Sequence, residues 1–184
     1  MNDYKAHRAK AKHLVYGVGT NDATYPIATC IAYKKWFSMI ERCYSGREPA
    51  YVGVTVCAEW LLFSNFHIWM VKQDWEGKEL DKDLIKMNNK VYAPDNCCFI
   101  TRKLNSALRV YDSMNYTKTV SGRYNLKMRL GGKKINIGTF DTEKEATKAY
   151  KTKKGTHLLQ LTDGLSPYLV SQLNKHVKEK YNVW

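Results

Sequence analysis

Residues 121–154 contain the pattern that most constrains how this chain can fold. From Arg123 to Leu130, polar or charged residues alternate strictly with apolar ones, and this period of two is typical of a half-buried strand. Gly131 and Gly132 follow, and two glycines favour the tight turn of a β-hairpin because both can adopt a positive φ. The alternation resumes from Lys133 to Phe140. The segment therefore predicts two antiparallel strands with one basic face.

A helix is predicted to follow the hairpin. Thr142 and Glu145 have the spacing of a capping box, so the helix should begin at Glu143. Gly155 is expected to end it. Three residues share the face that would cover the apolar side of the sheet: Ala146, Ala149 and Tyr150.

The charge of this segment indicates a polyanionic partner. It contains ten basic and three acidic residues, so it carries +7 of the chain's formal net charge of +13. A basic sheet face can reach both phosphates and base edges of double-stranded DNA, whereas a hairpin with its charges simply in solvent is the alternative interpretation. The alternation puts Arg123, Asn125, Lys127 and Arg129 on one face of the first strand, and Lys134 on the corresponding face of the second.

These residues also resemble the Apetala-type (ethylene-response-factor) DNA-binding domain. The resemblance lies in Gly-Arg-Tyr at 122–124, Gly-Gly-Lys-Lys at 131–134 and IGTFDTEKEATKAY at 137–150. It implies a three-stranded antiparallel sheet that lies in the major groove and packs on one helix. It also implies that the DNA contacts are Arg123, Lys127, Arg129, Lys133 and Lys134, to which the alternation adds Asn125. The first strand is expected between Tyr116 and Val120 or is short.

Residues 78–105 contain a second group of chemically informative side chains. A strand is predicted to end in Asp81-Lys82-Asp83, an Asn88-Asn89 loop follows, and a short helix is expected to begin near residues 94–96. Carboxylate and amide oxygens in such a frame could hold one hard divalent cation, which could stabilise the leaving oxygen of a cleaved phosphodiester. Taken alone, the residues favour an ordinary turn followed by a capped helix.

The same segment resembles the ββα-metal core of HNH endonucleases, which are common in bacteriophages. The resemblance rests on Asp81, Asn89, Asn96 and Asn105. It implies that Asp81 and Asn96 bind Mg²⁺ or Mn²⁺ and that Asn89 orients the loop. The implied catalytic set is Asp81, Lys82, Asp83 and Asn89.

One position departs from that family, because Lys82 stands where the family has its general-base histidine. A protonated lysine cannot take a proton from water. Asp83, His67, or a histidine of the N-terminal arm (His7 or His13) could replace the base. Otherwise the site is inactive and Lys82 grips a phosphate. Two functions therefore remain open: a metal-dependent DNA endonuclease, and an inactive HNH-like DNA-binding regulator or structural factor. Binding to RNA or to an acidic protein is a third, less favoured reading.

The whole chain is predicted to be an α+β protein. Aromatic-rich helices are expected over residues 30–44 and 59–72, a short strand over 51–57, and an amphipathic helix after Ser166-Pro167. Five segments follow from this reading: a basic arm and loop (1–29), an HNH-like core (30–111), a linker (112–120), an Apetala-type domain (121–156) and a C-terminal helical tail (157–184). The oligomeric state stays open.

Composition narrows the cellular setting. The five cysteines include no C-x-x-C pair, so we expect free thiols and no zinc. The basic N-terminus lacks the apolar stretch of a secretory signal. No run of about eighteen apolar residues occurs, so no membrane partner is expected. We expect the cytoplasm, that of the host cell if a phage encodes the chain.

Overall fold

The computed structural model describes residues 14–109 and 116–182, and the α+β class is confirmed. Within these residues the chain forms five α-helices and three small sheets. It divides into two compact units. Of the described residues, unit 1 comprises 14–73 and 90–94, and unit 2 comprises 74–89, 95–109 and 116–182. No helix in the described ranges has the length and apolar character needed to cross a membrane.

These units cut across the five predicted segments. The HNH-like core predicted over 30–111 is divided between the two units, whereas the Apetala-type segment and the C-terminal helix belong to one unit. The linker predicted over 112–120 lies partly outside the described residues, and its residues 116–118 form a strand of unit 2.

Unit 1 is built from two helices and a two-stranded parallel sheet. Helix α1 spans Ile31–Tyr44 and helix α2 spans Phe63–Met70. Strand β1 (Thr55–Val56) pairs with strand β3 (Val91–Tyr92). The helix predicted over 30–44 is therefore present, but the strand predicted over 51–57 is reduced to two residues. The reason is a 3-10 turn over Pro49–Tyr51, which occupies the start of that segment.

The helix predicted over 59–72 is interrupted at Leu62. A 3-10 turn covers Ala58–Leu61 and α2 begins only at Phe63, because Leu62 is extended with φ −94° and ψ 122°. Thr20 explains the break: its N–H donates to the Leu61 carbonyl at 2.7 Å, and the Phe63 N–H donates to its carbonyl at 3.0 Å. These bridge hydrogen bonds replace helical ones.

Aromatic side chains fill the core of unit 1. Trp36, Trp60 and Phe66 are almost fully buried, and the Trp36 indole donates a hydrogen bond to the Trp60 carbonyl at 2.6 Å. Such satisfied, edge-on aromatic packing is typical of a structural core. The aromatic residues between positions 60 and 70 therefore act as a scaffold.

Unit 2 begins with a ββα arrangement. Strand β2 (Lys78–Asp81) pairs antiparallel with strand β4 (Cys98–Thr101), with Asp81 opposite Cys98. Helix α3 (Arg102–Leu108) follows at once, and the Thr101 hydroxyl caps it by accepting from the Leu104 N–H. The helix expected near residues 94–96 is wrong, because that stretch is a turn and the apolar residues after it form the buried strand β4.

A three-stranded antiparallel sheet comes next. Its strands are β5 (Tyr116–Lys118), β6 (Tyr124–Leu130) and β7 (Lys133–Phe140), in that order. The turn between β6 and β7 consists of Gly131 and Gly132, with φ of 55° and 81°. The predicted alternation is present, because Leu126 and Met128 are buried while Lys127 and Arg129 are exposed.

Helix α4 (Glu143–Leu159) covers the apolar side of this sheet and begins with the predicted capping box. Its Ala146 is fully buried. The predicted end at Gly155 is wrong, because the helix continues to Leu159. Gly155 lies buried inside the helix, where α4 packs against helix α5 (Pro167–Tyr181).

The core of unit 2 explains why α4 is long. Apolar residues of the ββα part and of α4 and α5 form one cluster, which includes Leu84, Cys98, Ile100, Leu104, Leu108, Leu158, Leu161, Leu173, Val177 and Tyr181. Helix α4 therefore contributes one end to the sheet and its other end to this core. Stopping at Gly155 would remove Leu158 from the cluster.

The capping box gives a test of the fold. Replacing Thr142→Ala removes the hydroxyl that accepts from the Glu145 N–H at 3.2 Å, so we expect a loss of about 1 kcal/mol in the free energy of unfolding. Urea denaturation followed by circular dichroism measures this loss. Thr152→Ala, an exposed site inside the same helix, is the control and should cost nothing. Equal stability of the two variants would contradict the assigned helix start.

Candidate functional site

The outer face of the three-stranded sheet is basic and exposed. Cross-strand register places Arg129 directly opposite Lys134 and Lys127 opposite Asn136. Side chains of directly opposed residues project on the same side of a sheet. All four are exposed, so this face presents three cations and one amide to solvent. We call it the basic sheet face.

The acidic residues of the same segment are all occupied elsewhere. The Asp141 carboxylate lies 2.7 Å from Arg123 Nε. Glu143 accepts from the Tyr116 hydroxyl at 2.7 Å, and Glu145 accepts from the N–H groups at the start of α4. Among the residues that the structure describes, no carboxylate forms an ion pair with Lys127, Arg129 or Lys134. Their charges are therefore available to a ligand.

Two predicted contacts are engaged within the sheet. Arg123 holds Asp141, and its guanidinium also lies 3.5 Å from the Thr139 carbonyl. The Asn125 amide donates to Asn136 Oδ1 at 3.3 Å and to Thr139 Oγ1 at 3.0 Å. Both side chains therefore fix the polar surface of the sheet and have less capacity for a ligand.

Lys133 lies on the other face. Its cross-strand partner is Leu130, whose position in the alternation puts it on the side of Met128, away from Arg129. The Apetala-type resemblance groups Lys133 with Lys134 as DNA contacts. The register separates these two neighbours.

A β-bulge in β7 changes which residues of this strand lie on the basic sheet face. It places Thr139 on that face, a residue that the sequence analysis did not include. Leu126 pairs with Gly138 and Lys127 with Asn136, so Ile137 is the extra residue. Beyond the bulge, Thr139 rather than Gly138 faces the same side as Asn125. Gly138, with φ 153° and the Phe140 ring 3.3 Å from where a Cβ would stand, is the sequence signal of this irregularity.

The turn after β2 is centred on a buried carboxylate. Asp81 is 7% exposed, and its Oδ1 accepts from the Asp83 N–H at 3.0 Å and the Leu84 N–H at 2.7 Å. Burial raises the pKa of Asp81 to about 6, and the charge of Asp83 adds to the rise. The two backbone N–H groups and Lys82 act in the opposite direction. Burial therefore disfavours the charged form of Asp81, and two backbone hydrogen bonds offset only part of that cost.

Lys82 closes the loop that follows. Its ammonium donates to the Asp83 carboxylate oxygens at 2.7 and 2.9 Å and to the Asn89 carbonyl at 2.9 Å. The Asn89 amide donates in return to the Lys82 carbonyl at 3.0 Å. An ammonium has three N–H groups, and these contacts use them. In this arrangement the Lys82 ammonium is directed into the loop, onto Asp83 and the Asn89 carbonyl.

The other two asparagines of the HNH resemblance, Asn96 and Asn105, have different surroundings. Asn96 is half-buried in the turn before β4. Asn105, in α3, donates to Glu79 at 2.6 Å, and Arg102 lies 3.7 Å from the same carboxylate. Asn105 therefore fastens α3 to β2.

The carboxylate expected to bind a divalent cation is buried and hydrogen-bonded. The described residues contain no group of three or more His, Cys, Asp or Glu side chains placed to hold a metal ion. Asp81 is buried and its Oδ1 already accepts two hydrogen bonds, whereas Mg²⁺ keeps several waters and needs accessible oxygens. Asp81 and Asn96 as metal ligands remain a prediction from the resemblance.

The histidines give one finding that the sequence analysis missed. His67 of unit 1 stacks on Phe63 and shares a 3.0 Å hydrogen bond with the Tyr25 hydroxyl. His7 and His13 lie outside the described residues. His176, in α5, is 4% exposed, and both of its ring nitrogens are buried.

Electrostatics connect His176 to the turn after β2. Burial lowers the pKa of His176 and Lys180 lowers it further, whereas the charge of Asp83, a backbone hydrogen bond with Asp83 and the charge of Glu179 raise it. A neutral imidazole therefore lies within reach of the Asp83 charge. Helical periodicity alone marks His176 only as a neighbour of the core residue Val177.

Asp81 provides a stability test with a defined pH dependence. Its pKa is raised from 3.8 to about 6 in the folded protein, so the folded state loses stability as pH rises from about 4 to 6. Asp81→Asn keeps an oxygen acceptor and removes the charge. We expect a gain of roughly 1–3 kcal/mol at pH 7.5 and a smaller gain at pH 4.5.

Urea denaturation at both pH values measures the difference, and other titrating groups cancel between the two proteins. Asp83→Asn is the control, because it breaks the ion pair with Lys82 and should destabilise the protein. If Asp81→Asn is less stable than the wild type at pH 7.5, burial of the charged Asp81 carboxylate does not cost the folded state stability, and the interpretation is wrong.

Comparison of this chain with protein-family models, with curated proteins and with solved structures gave no match. Its function therefore has to be inferred from its own residues. Two surfaces of unit 2 are relevant: the basic sheet face and the closed turn around Asp81.

Proposed function

We propose that this protein binds double-stranded DNA through the basic sheet face, with Lys127, Arg129 and Lys134 as its principal contacts. The observation that carries the proposal is the direct opposition of Arg129 and Lys134 on exposed strands, with the nearby acidic residues occupied elsewhere. Like charges opposite each other destabilise a sheet. A polyanion converts that repulsion into binding energy.

The chemistry of the face suits the major groove. A β-ribbon fits its width, Arg can donate two hydrogen bonds to guanine, and Lys holds phosphate as a point charge. Asn136 and Thr139 add amide and hydroxyl groups that can meet base edges or phosphates. RNA duplexes are the less favoured ligand, because their major groove is too narrow for side chains to read the bases.

Arg123 and Asn125 have a supporting role in this proposal. Their hydrogen bonds and ion pair hold Thr139, Asn136 and Asp141 in place. A pre-organised polar surface loses less conformational entropy when it binds. Lys133 is not a contact in this proposal, because it lies on the opposite face.

Unit 2's ββα part acts in this proposal as a scaffold rather than as a nuclease. Lys82, Asp83 and Asn89 hold one another in a closed network, and Asp81 uses its carboxylate to shape the turn. These contacts favour the inactive, DNA-binding alternative. Metal-dependent phosphodiester cleavage remains the competing proposal, and it rests on the HNH resemblance and on the β2–β4–α3 frame.

Lys134 and Lys133 form a matched pair for testing the DNA-binding face. Lys134→Gln should weaken binding to a duplex and reduce the slope of log K against log salt by about one, because one phosphate contact is lost. Lys133→Gln removes the same charge from the other face and should change the slope little. Fluorescence anisotropy over a salt series measures both. Equal effects of the two substitutions would contradict the assignment of faces.

Metal dependence separates scaffold from nuclease. We expect DNA affinity to be the same in EDTA and in Mg²⁺ or Mn²⁺, and a supercoiled plasmid to remain uncut with either metal. Gel electrophoresis of the plasmid and anisotropy of a labelled duplex give the two readouts. Nicking that requires metal and disappears in Asp81→Asn would establish the nuclease instead.

A further inference from the structure

A second group of basic residues lies outside the sheet, on the three helices of unit 2. We call it the helical basic cluster, and it consists of Lys103 of α3, Lys153, Lys154 and His157 of α4, and Lys180 of α5. These helices share one hydrophobic core. Several members of the cluster are direct sequence neighbours of core residues, for example Lys103 of Leu104 and Lys180 of Tyr181. Helix α4 packs against both α3 and α5, so the cluster lies on three helices that meet.

The electrostatics agree with this placement. Burial lowers the pKa of Lys154, and Lys180 lowers it further. Burial also lowers the pKa of His157, with Lys154, Lys103 and Lys153 acting in the same direction. Every charged neighbour that shifts these two groups is another cation.

Lys154 is the unusual member. It is 6% exposed, and within the described ranges it has no hydrogen bond or ion pair. A buried ammonium without a counter-charge is costly. Lys154 Nζ is not among the fully buried polar atoms of the described residues that lack a partner, so the ammonium keeps some contact with solvent.

Three carboxylates of unit 2, Glu79, Asp83 and Glu179, interact with residues that do not belong to the helical basic cluster. Glu79 accepts from Asn105 and lies near Arg102. Asp83 binds Lys82, and Glu179 lies 4.0 Å from Lys175. These three carboxylates do not form ion pairs with the cluster, so an anion from outside the protein can neutralise its positive charge.

We propose that the helical basic cluster is a second binding site for nucleic-acid phosphates, occupied by the same DNA that the basic sheet face binds. The inference rests on the proposed function. Lysine ammonium groups bind phosphate as point charges, and a neutral His157 can add a hydrogen bond. Helix α4 connects the two surfaces, because its first half covers the sheet and its second half carries Lys153, Lys154 and His157.

The test compares charge removal at the cluster with charge removal elsewhere on the helices. The double variant Lys103→Gln/Lys153→Gln changes two exposed residues. Its binding to a labelled duplex should weaken, and the salt slope should fall by about two. The control Lys175→Gln/Lys178→Gln removes the same charge from exposed positions of α5 and should leave the slope nearly unchanged.

Lys154→Met adds an independent readout, because it keeps the length of the side chain and removes the charge. The free protein should unfold at a higher temperature, and its DNA affinity should fall. Inorganic phosphate is tested in parallel as a free anion. It should raise the unfolding temperature of the wild type by less than the duplex does.

Each result decides the proposal. If the cluster variants behave like the α5 control while Lys134→Gln still weakens binding, the cluster site is overturned and the basic sheet face stands. Stabilisation by inorganic phosphate that exceeds stabilisation by the duplex also overturns it, since the site then prefers small anions. A wild-type protein that does not bind duplex DNA overturns both proposals.

Discussion

The burial of α4 on two different partners is the constraint on which unit 2 depends. At its beginning, the capping box fixes the helix start and Ala146 lies fully buried beneath the sheet. At its end, Leu158 belongs to the core that α3, α5, β4 and the turn after β2 also line. A three-stranded sheet has little apolar surface of its own, so it gains stability from packing on a helix. Because that helix is also anchored in a second core, the sheet is held by more than its own contacts.

The distribution of charge within the sheet segment is selective. Its acidic side chains cap helix α4, accept a hydrogen bond from a tyrosine hydroxyl and form an ion pair with Arg123. These contacts stabilise the local structure. The opposed cations Arg129 and Lys134 receive none of them. Stability alone would favour a mixed-sign surface. The segment instead combines internal order with a positive face whose cations form no ion pair among the described residues.

Local signals in the sequence predicted local structure well. The alternation from Arg123 to Leu130, the Gly131-Gly132 turn and the capping box at Thr142 each depend on neighbouring residues only, and all are present. The errors came from tertiary contacts. A glycine such as Gly155 often ends a helix, but α4 continues past it to Leu159 and places Leu158 in the core. Leu62 leaves the helical conformation because Thr20 forms hydrogen bonds with Leu61 and Phe63, the residues on either side of it. Nothing in the sequence of residues 59–72 predicts that contact.

The candidate site shows the same limit more sharply. The sequence identified Asp81, Lys82, Asp83 and Asn89 as a group, and the structure does bring Lys82, Asp83 and Asn89 into direct contact. What the sequence could not reveal is the direction of each hydrogen bond. The Lys82 ammonium is itself a cation inside the loop: it neutralises Asp83 and ties Asn89, so the loop closes without any further charge. A histidine at this position could accept a proton, whereas the Lys82 ammonium is a hydrogen-bond donor that Asp83 and the Asn89 carbonyl hold inside the loop.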